Sequence, residues 1–223
     1  MLCRSCSVVG LTALLIAGGV LAVAAAPSQQ TPAKPAAPAA TAPAATAPAA
    51  GQLVKCTIDP VHSKALFRVQ HLGAGPFWGR FNDVQGSFQF TPGSADGMKF
   101  DVSIKIDSVD TGTEDLDKHL KSPDFFASKD FPTMTFVSTG AKSIGKNVYE
   151  VTGNLTMHGV TKPVTAALEF IGTADFGRGA RAGFEAVFTV KRSEFGVNYG
   201  VEKDMIGNDV RVVVGLEGTV DKK

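Results

Sequence analysis

The chain has 223 residues, with 22 Lys and Arg against 21 Asp and Glu, and a formal net charge of +1. This near-balance argues against nucleic acid or an acidic membrane surface as a partner, because both attract proteins with a marked excess of basic residues. The three cysteines are too few for a framework of disulfides.

The N-terminus has the pattern of an export signal. Arg4 gives a basic start, residues 8–24 form an apolar run, and Ala22-Val-Ala24 is an A-x-A cleavage site. We therefore predict a signal peptide over residues 1–24 and a periplasmic protein. An uncleaved membrane anchor stays open as an alternative, since the run approaches the roughly 18–20 residues that span a bilayer.

The next segment, residues 25–51, is dominated by Pro, Ala and Thr, with Lys34 as its only charged residue. Such a composition cannot bury enough apolar surface to fold, so we predict a disordered, extended linker. Residues 52–223 then form one predicted domain, long enough for a core of its own. Cys56 is the only cysteine in this domain, so no internal disulfide can stabilise it.

Alternation of apolar and polar residues is the main signal within the predicted domain. Along residues 100–106, Phe, Val and Ile alternate with Asp, Ser and Lys. One apolar and one polar face is typical of an antiparallel sheet. Eight or nine short strands without crossover helices predict a sandwich or a closed barrel. The other predicted strands lie near residues 54–58, 65–71, 84–90, 133–138, 149–157, 164–170, 184–191 and 210–220.

One stretch between the strands has helical character, and we call residues 113–126 the lid segment. Thr113 is a predicted N-cap, and Leu116 and Leu120 stand four residues apart on one face of the helix. A helix this short is marginal alone, so it must lean on the apolar interior of the strands. We predict a lid at the mouth of a barrel, with Phe125 and Phe126 directed inward.

The polar residues give little indication of catalysis or metal binding. The histidines lack the close spacing of metal ligands, and no cysteine pair accompanies them. Neither a Gly-x-Ser-x-Gly motif nor a phosphate-binding loop is present. We predict no enzyme, no metal and no cofactor. The alternative is a periplasmic enzyme that acts on a bound lipid or small amide at the mouth, through Asp59, His62, Asp117 and His119.

The predicted interior is strongly apolar. The chain has fifteen Phe but only one Trp and two Tyr. Phe lacks the polar N–H or hydroxyl of the other two aromatic residues, so this composition favours a fully apolar interior. Gly86, Gly153 and Gly218 occupy predicted inward positions between large apolar residues. They either leave room for a ligand or mark bends of the strands, and both interpretations stay open. An eight-stranded barrel has an interior about large enough for one ligand, which here would be apolar.

Six motifs of the predicted domain form a recognisable set, and they span nearly all of it in order: residues 58–63, 67–72, 117–126, 131–136, 153–164 and 191–196. Through these motifs the domain resembles the YceI-like family of exported, lipocalin-like, polyisoprenoid-binding proteins. The resemblance implies an all-β fold: an antiparallel, eight-stranded, lipocalin-like barrel with a short helical insert at its mouth. Its apolar tunnel would hold an isoprenoid chain, such as a polyprenol or a prenyl quinone tail. Leu116 departs from the family, which usually has Arg at this position.

The predicted function follows from these observations: the protein carries or stores an isoprenoid lipid in the periplasm. A homodimer and a transient contact with a membrane lipid or quinone donor stay open, and nucleic acid is not an expected partner. The expected ligand-binding residues are of three kinds: inward-facing residues of the strands, two phenylalanines of the lid segment, and two histidines. They are Phe67, Val69, His71, Phe88, Val102, Ile104, His119, Phe125, Phe126, Phe136, Leu155, Met157, Phe188, Val212 and Val214.

Overall fold

The computed structural model describes residues 51–175 and 177–222, and the fold within them is all-β apart from one α-helix and two 3-10 turns. The predicted signal peptide and all but the last residue of the predicted linker lie outside the described residues. In the described part of the chain, no helix is long and apolar enough to span a bilayer. The strands are β1 (Val54–Ile58), β2 (Lys64–His71), β3 (Gly75–Phe81), β4 (Val84–Thr91), β5 (Ser94–Lys105), β6 (Val109–Asp110), β7 (Thr133–Gly145), β8 (Val148–Met157), β9 (Val160–Asp175), β10 (Ala180–Lys191) and β11 (Asp209–Val220).

Eight of these strands form a closed antiparallel ring. The order around the ring is β1, β4, β5, β7, β8, β9, β10 and β11. The pairing of β11 with β1, for example Cys56 with Val220, closes it. Strands β2, β3 and β6 extend the wall at one end, where β2 pairs with both β11 and β3. The predicted antiparallel, eight-stranded barrel is therefore confirmed.

Strand β3 is the one long element that the sequence did not predict. Its sequence begins with Gly75 and Pro76 and contains Gly79, none of which is typical of a strand. The structure explains Gly79, because a Cβ atom at this position would overlap the ring of Phe67 on the neighbouring strand β2. Gly79 is thus required by close packing across the β2–β3 hairpin.

The predicted helix is present as α1 (Glu114–Lys121), with Thr113 as its N-cap. The Thr113 side chain makes no capping hydrogen bond. The start of the helix is held by Asp117, whose Oδ1 accepts hydrogen bonds from the backbone N–H and the hydroxyl of Thr111, at 2.8 and 2.7 Å. Leu120 is buried and Leu116 is half-buried against the core, so the predicted apolar stripe faces the barrel.

A group of five phenylalanine rings fills the interior at the end of the barrel formed by β1, β4 and the start of β10. We call it the phenylalanine cluster. Phe184 lies at its centre, with ring centroids 5.2–5.4 Å from those of the four other members. Its rings close this end of the barrel with side chains. The members are Phe88, Phe90, Phe100, Phe170 and Phe184.

The inward glycines make room for aromatic rings of the protein and not for a ligand. A Cβ atom at Gly218 would lie 2.7 Å from the ring of Phe88, and one at Gly153 would overlap the ring of Phe136. Gly86 pairs in register with the inward Val102 but is solvent-exposed. Its φ of +121° and the close approach of the Asp101 carbonyl favour the interpretation as a local distortion of the strand.

Candidate ligand-binding cavity

The barrel contains an apolar cavity of about 170 Å³ between the lid segment and the phenylalanine cluster. Thr135 and Arg192 are the polar residues of its lining, and the exposed lining surface is almost entirely apolar. A cavity of this character excludes water and favours an apolar occupant. Its lining residues come from the lid segment, the segment after β10 and strands β2, β3, β5 and β7 to β11.

The alternating pattern of the strands builds this lining directly. Because side chains on a strand alternate between its two faces, register partners on neighbouring strands point to the same side of the wall. Two rows of such partners cross the inner surface: Val102, Phe136 and Leu155 over β5, β7 and β8, and Phe188, Val212 and Phe67 over β10, β11 and β2. All six residues line the cavity.

Most of the predicted ligand-binding residues meet at this cavity. The structure brings twelve of them together in its lining, although their part in binding stays a prediction. They are Phe67, Val69, Val102, Ile104, Phe125, Phe126, Phe136, Leu155, Met157, Phe188, Val212 and Val214.

Three predicted residues lie outside the lining, which corrects their expected placement. Phe88 is inward but belongs to the phenylalanine cluster, stacked on Phe100 with ring centroids 5.8 Å apart. His71 lies on the same face of β2 as the inward Phe67 and Val69. However, it occupies the last position of the strand and is solvent-exposed. His119 is directed towards Asp124, with 3.0 Å between its Nε2 and the carboxylate Oδ2.

Sequence reasoning missed the remaining lining residues. Several, such as Phe100 and Leu216, lie on strands whose phase already indicated an inward side chain. The residues from the segment after β10 have no periodic signal, because this segment is irregular. The missed residues are Ala65, Leu66, Phe81, Phe100, Leu120, Met134, Thr135, Val151, Ala166, Leu168, Ala186, Val190, Arg192, Val197, Ile206, Val210 and Leu216.

The lid segment is held in place by aromatic contacts at the barrel mouth. The rings of His119, Phe125 and Tyr199 lie with centroids 5.0–5.1 Å apart, which joins the lid segment to the segment after β10. The ring of Phe126 packs edge-on against Phe81, at 5.5 Å. Phe125 and Phe126 both line the cavity, so their predicted inward direction is confirmed.

Arg192 is a buried cation beside the apolar cavity. Its side chain extends from the 3-10 turn after β10, and the residue is 5% exposed. Its guanidinium donates hydrogen bonds to four backbone carbonyls and is not ion-paired with any carboxylate of the described residues. Burial lowers the pKa of this guanidinium from its ordinary value. The four accepting carbonyls are those of Val197, Tyr199, Ile206 and Gly207, at 2.7–2.9 Å.

The polar residues of the predicted enzymatic alternative do not form a common site. Asp59 Oδ2 accepts hydrogen bonds from Arg181 and His62, whereas Asp117 is bonded to Thr111. No hydrogen bond or ion pair of the described residues connects the Asp59 group to the lid segment. The arrangement that catalysis at the mouth would need is therefore not observed.

Asp59, His62 and Glu217 also place possible ligand atoms within 4.8 Å of one another. However, Nη1 of Arg181 donates hydrogen bonds to both carboxylates, at 2.6 Å to Asp59 and 2.8 Å to Glu217. The guanidinium offsets one of the two carboxylate charges and occupies an oxygen of each carboxylate. In the described structure, this cluster is a surface ion-pair network.

The ion pair of Asp59 predicts a pH-dependent contribution to stability. Hydrogen bonds from Arg181, and then from His62, hold the pKa of Asp59 well below its ordinary range. A lowered folded-state pKa stabilises the protein above the unfolded-state pKa of about 4, and this stabilisation is lost as the pH falls below it. We expect Arg181→Gln to lower the free energy of unfolding at pH 7 by about 1 kcal/mol or less, because the pair is partly exposed.

Urea unfolding at pH 7 and at a series of acidic pH values measures this effect. The difference between wild type and Arg181→Gln should shrink as the pH falls below about 4. Arg211→Gln is a matched control on the exposed face of β11 and should change stability little at either pH. If the difference in unfolding free energy between wild type and Arg181→Gln grew as the pH fell, the stabilising role of the Asp59–Arg181 ion pair would be contradicted.

A closed β-barrel with one end filled by side chains and an apolar cavity under a lid defines a class of protein that binds small apolar molecules. The YceI-like domain family matches residues 56–218, which is most of the chain. The protein belongs to this family.

Individual comparisons agree with this family. A UPF0312 protein of Azotobacter vinelandii is 39% identical over 160 residues, covering 70% of this chain and 81% of the relative. The crystal structure of Burkholderia cenocepacia BcnA is 29% identical with a TM-score of 0.64, covering 73% of this chain and 99% of that one. A Saccharophagus degradans domain described as polyisoprenoid-binding is 16% identical, with a TM-score of 0.59 over 76% of this chain and 100% of that one. This last similarity shows the fold alone.

Proposed function

We propose that this protein binds one isoprenoid lipid in its barrel and carries or stores it in the periplasm. The observation that supports this most strongly is the apolar cavity, whose lining offers an occupant almost only hydrocarbon and aromatic surface. Membership of the YceI-like family and the polyisoprenoid-binding description of the Saccharophagus protein favour an isoprenoid as the occupant. A polyprenol or the tail of a prenyl quinone has the required chemistry.

Burial of apolar surface is sufficient to retain such a ligand without a covalent bond. A tail that buries about 500 Å² gains about 12 kcal/mol at roughly 25 cal/mol per Å². Association itself costs several kcal/mol of this gain. A micromolar dissociation constant requires about 8 kcal/mol. Reversible binding, as a carrier or a store needs, is consistent with these magnitudes.

The size of the cavity indicates that the lid segment moves when a long tail binds. A protein cavity of about 150 Å³ takes up a molecule the size of benzene. The cavity of about 170 Å³ thus accommodates about one five-carbon unit in the closed form. A longer tail needs additional space, and the rings of Phe125 and Phe126 close the path from the mouth.

Hydrogen exchange of the lid segment tests its role as a gate. We expect amides of residues 114–126 to exchange fast in the emptied protein and to slow on loading with a prenyl quinone. A ligand that binds mainly under the closed lid stabilises the closed form, and lids belong to the less stable parts of a structure. Mass spectrometry of exchanged peptides measures the change.

The tip of the β7–β8 hairpin, residues 142–149, contributes no residue to the cavity lining and is the internal control for this experiment. Its exchange should be the same in the emptied and loaded protein. Equal exchange of residues 114–126 in the two forms would mean that the lid segment is a fixed cap. The ligand would then have to enter elsewhere.

The proposed periplasmic location rests on the predicted signal peptide. We expect the protein to be released with the periplasmic fraction of a Gram-negative host and to start at residue 25, as measured by intact mass. A protein that keeps residues 1–24 and sediments with membranes would instead support the anchor.

Ligand transfer tests the proposed function itself. Emptied protein is incubated with phosphatidylcholine vesicles that contain a prenyl quinone or a polyprenol, then separated from the vesicles and extracted. We expect about one isoprenoid per protein molecule, and much less of a phospholipid. Failure to take up either isoprenoid from vesicles, by folded protein, would refute the proposal.

A further inference from the structure

The hairpin between β2 and β3 carries exposed apolar side chains at the open end of the barrel. We call residues 69–79 the mouth hairpin. It contains no Asp, Glu, Lys or Arg. Leu72 at its tip is 58% exposed, and Trp78, the only tryptophan of the chain, is 45% exposed on its outer face. Because loops between strands are usually polar, this composition is unusual for a hairpin tip in water.

Two further exposed side chains adjoin the mouth hairpin. The backbone N–H of Leu72 donates a hydrogen bond to the carbonyl of Met205, at 2.8 Å. Met205 is 39% exposed and Tyr199 is 41% exposed, and the ring of Tyr199 packs against the lid segment. The mouth hairpin, the segment after β10 and the lid segment thus surround one entrance. Leu72, Trp78, Tyr199 and Met205 form an apolar surface there, which we call the mouth surface.

Leu72 also has a backbone conformation that leucine avoids. Its φ is +52°, in the left-handed region that favours Gly and Asn. Leucine is therefore unfavourable here in two ways, since its backbone is strained and its apolar side chain lies in water. A Cβ atom at Gly73 or Gly75 would have no neighbour within 4 Å in the described structure, so the tip projects from the barrel. Neither the turn nor the core explains a leucine at this position.

The size and charge of the mouth surface favour a lipid bilayer over a protein as its partner. Four side chains of roughly 150–250 Å² each, about half exposed, present roughly 300–400 Å² in total. A standard protein interface needs about 800 Å² on each partner. A projecting tip needs no complementary pocket in a fluid bilayer. The absence of charged residues from positions 69–79 suits insertion between uncharged lipid chains.

The spacing along the mouth hairpin matches the layers of a bilayer surface. Trp78 pairs with Arg68, three register positions from the pair of His71 and Gly75. At about 3.3 Å per residue, Trp78 therefore lies about 10 Å from the tip. Tryptophan rings are enriched at the headgroup level of membranes, and interfacial apolar groups are buried about 5–10 Å. Arg68 and Arg80 border the uncharged stretch, at the level where lipid phosphates would lie.

We propose that the mouth hairpin inserts Leu72 into the surface of a neutral lipid bilayer, with Trp78 at the headgroup level. Tyr199 and Met205 then face the lipid beside the lid segment, and the entrance of the barrel opens towards the bilayer. An apolar ligand passes between membrane and cavity without crossing water. This inference deepens the proposed function by naming the surface where the ligand is exchanged, but its test requires no isoprenoid.

Fluorescence of Trp78 tests this docking directly, because the chain has no other tryptophan. The full, emptied protein is mixed with phosphatidylcholine vesicles that contain no isoprenoid. We expect the emission maximum to move to shorter wavelength. Phosphatidylcholine brominated near the headgroup should quench the emission more than lipid brominated at the chain end. Added anionic lipid or high salt should leave the binding constant nearly unchanged, since the contact is apolar.

Leu72→Asn separates docking from folding. Asparagine is more favourable than leucine at a φ of +52° and lacks the apolar surface. The variant should be at least as stable in urea as the wild type, yet bind vesicles at least about tenfold more weakly. Ile144→Asn is the matched control, because Ile144 is 54% exposed in the β7–β8 hairpin. This hairpin lies at the closed end, where the Asn147 carbonyl accepts a hydrogen bond from Phe170 of the phenylalanine cluster.

Each other outcome has a definite meaning. Unchanged Trp78 emission with vesicles, or equal vesicle binding by Leu72→Asn and wild type, would overturn the proposal. Binding that requires anionic lipid and disappears in high salt would overturn insertion into a neutral bilayer. An emission shift that depends on protein concentration without vesicles, and is absent in Leu72→Asn, would assign the mouth surface to contact between two copies of the chain.

The membrane contact and the proposed function can fail separately. Uptake of an isoprenoid by wild-type protein whose Trp78 emission does not change would leave the proposed function intact and overturn the docking. Docking to vesicles without uptake of an isoprenoid would refute the proposed function alone.

Discussion

Leu155→Trp is expected to reduce the retention of an isoprenoid at least tenfold. Leu155 lines the cavity near the end of β8 and is the register partner of Phe136 on the neighbouring strand β7. The larger indole would fill much of a cavity of about 170 Å³. Val212→Trp, from the opposite side of the barrel, should have the same effect. The bound lipid is measured per protein molecule after vesicle transfer.

Overpacking of a core costs about 1–3 kcal/mol, so each variant must first be shown to be folded by urea unfolding. Val137→Trp is the matched control, because Val137 follows Phe136 on β7 and is 47% exposed on the outer face. It should retain lipid as the wild type does. Folded Leu155→Trp and Val212→Trp proteins with undiminished retention would place the binding site outside this cavity.

Phe184→Ala is expected to lower the free energy of unfolding by about 3–5 kcal/mol. Phe184 is 1% exposed and packs against the four other rings of the phenylalanine cluster. Its removal deletes those contacts and leaves a void that surrounding strands cannot fill, because they are tied into a closed ring. The midpoint and slope of urea unfolding measure the loss.

Ile171→Ala is the control for the phenylalanine cluster. Ile171 lies on β9 beside Phe170 but is 64% exposed, so its truncation should change stability by about 0.5 kcal/mol or less. Equal losses for Phe184→Ala and Ile171→Ala would show that the cluster does not contribute specially to the closed end of the barrel.

The barrel could be predicted because alternation is a strong local signal. Where one face of a strand is buried and the other is wet, as along β5 and β8, the sequence alone determines which side chains point inward. Strand β3 escaped prediction for the opposite reason. Its Gly79 is present because the ring of Phe67 occupies the adjacent space, which is a tertiary requirement without a local pattern.

The extent of the cavity could not be predicted from phase alone. Phe88 and Phe188 are both inward, yet one belongs to the phenylalanine cluster and the other lines the cavity. The two-residue alternation along a strand determines which side of the wall a side chain lies on. It does not determine how far along the barrel axis the neighbouring rings meet. The same limitation applies to the inward glycines, whose space is taken by Phe88 and Phe136.

Arg192 illustrates a structural feature without a recognisable sequence signal. The residue types that usually accompany a buried arginine are Asp and Glu, and neither is its partner among the residues that the structure describes. Its partners are main-chain carbonyls of an irregular segment, which any sequence could supply. Leu116 is a simpler case, because its apolar side chain packs against the core as the helical pattern predicts.

Lipid analysis of the protein isolated from its own cell envelope tests the central claim most directly. The purified protein is extracted with organic solvent, and the extract and the intact complex are measured by mass spectrometry. We predict about one isoprenoid lipid per chain and a strong reduction in Leu155→Trp. A folded protein that carries no isoprenoid, or that carries only phospholipid or fatty acid, would contradict the proposed function.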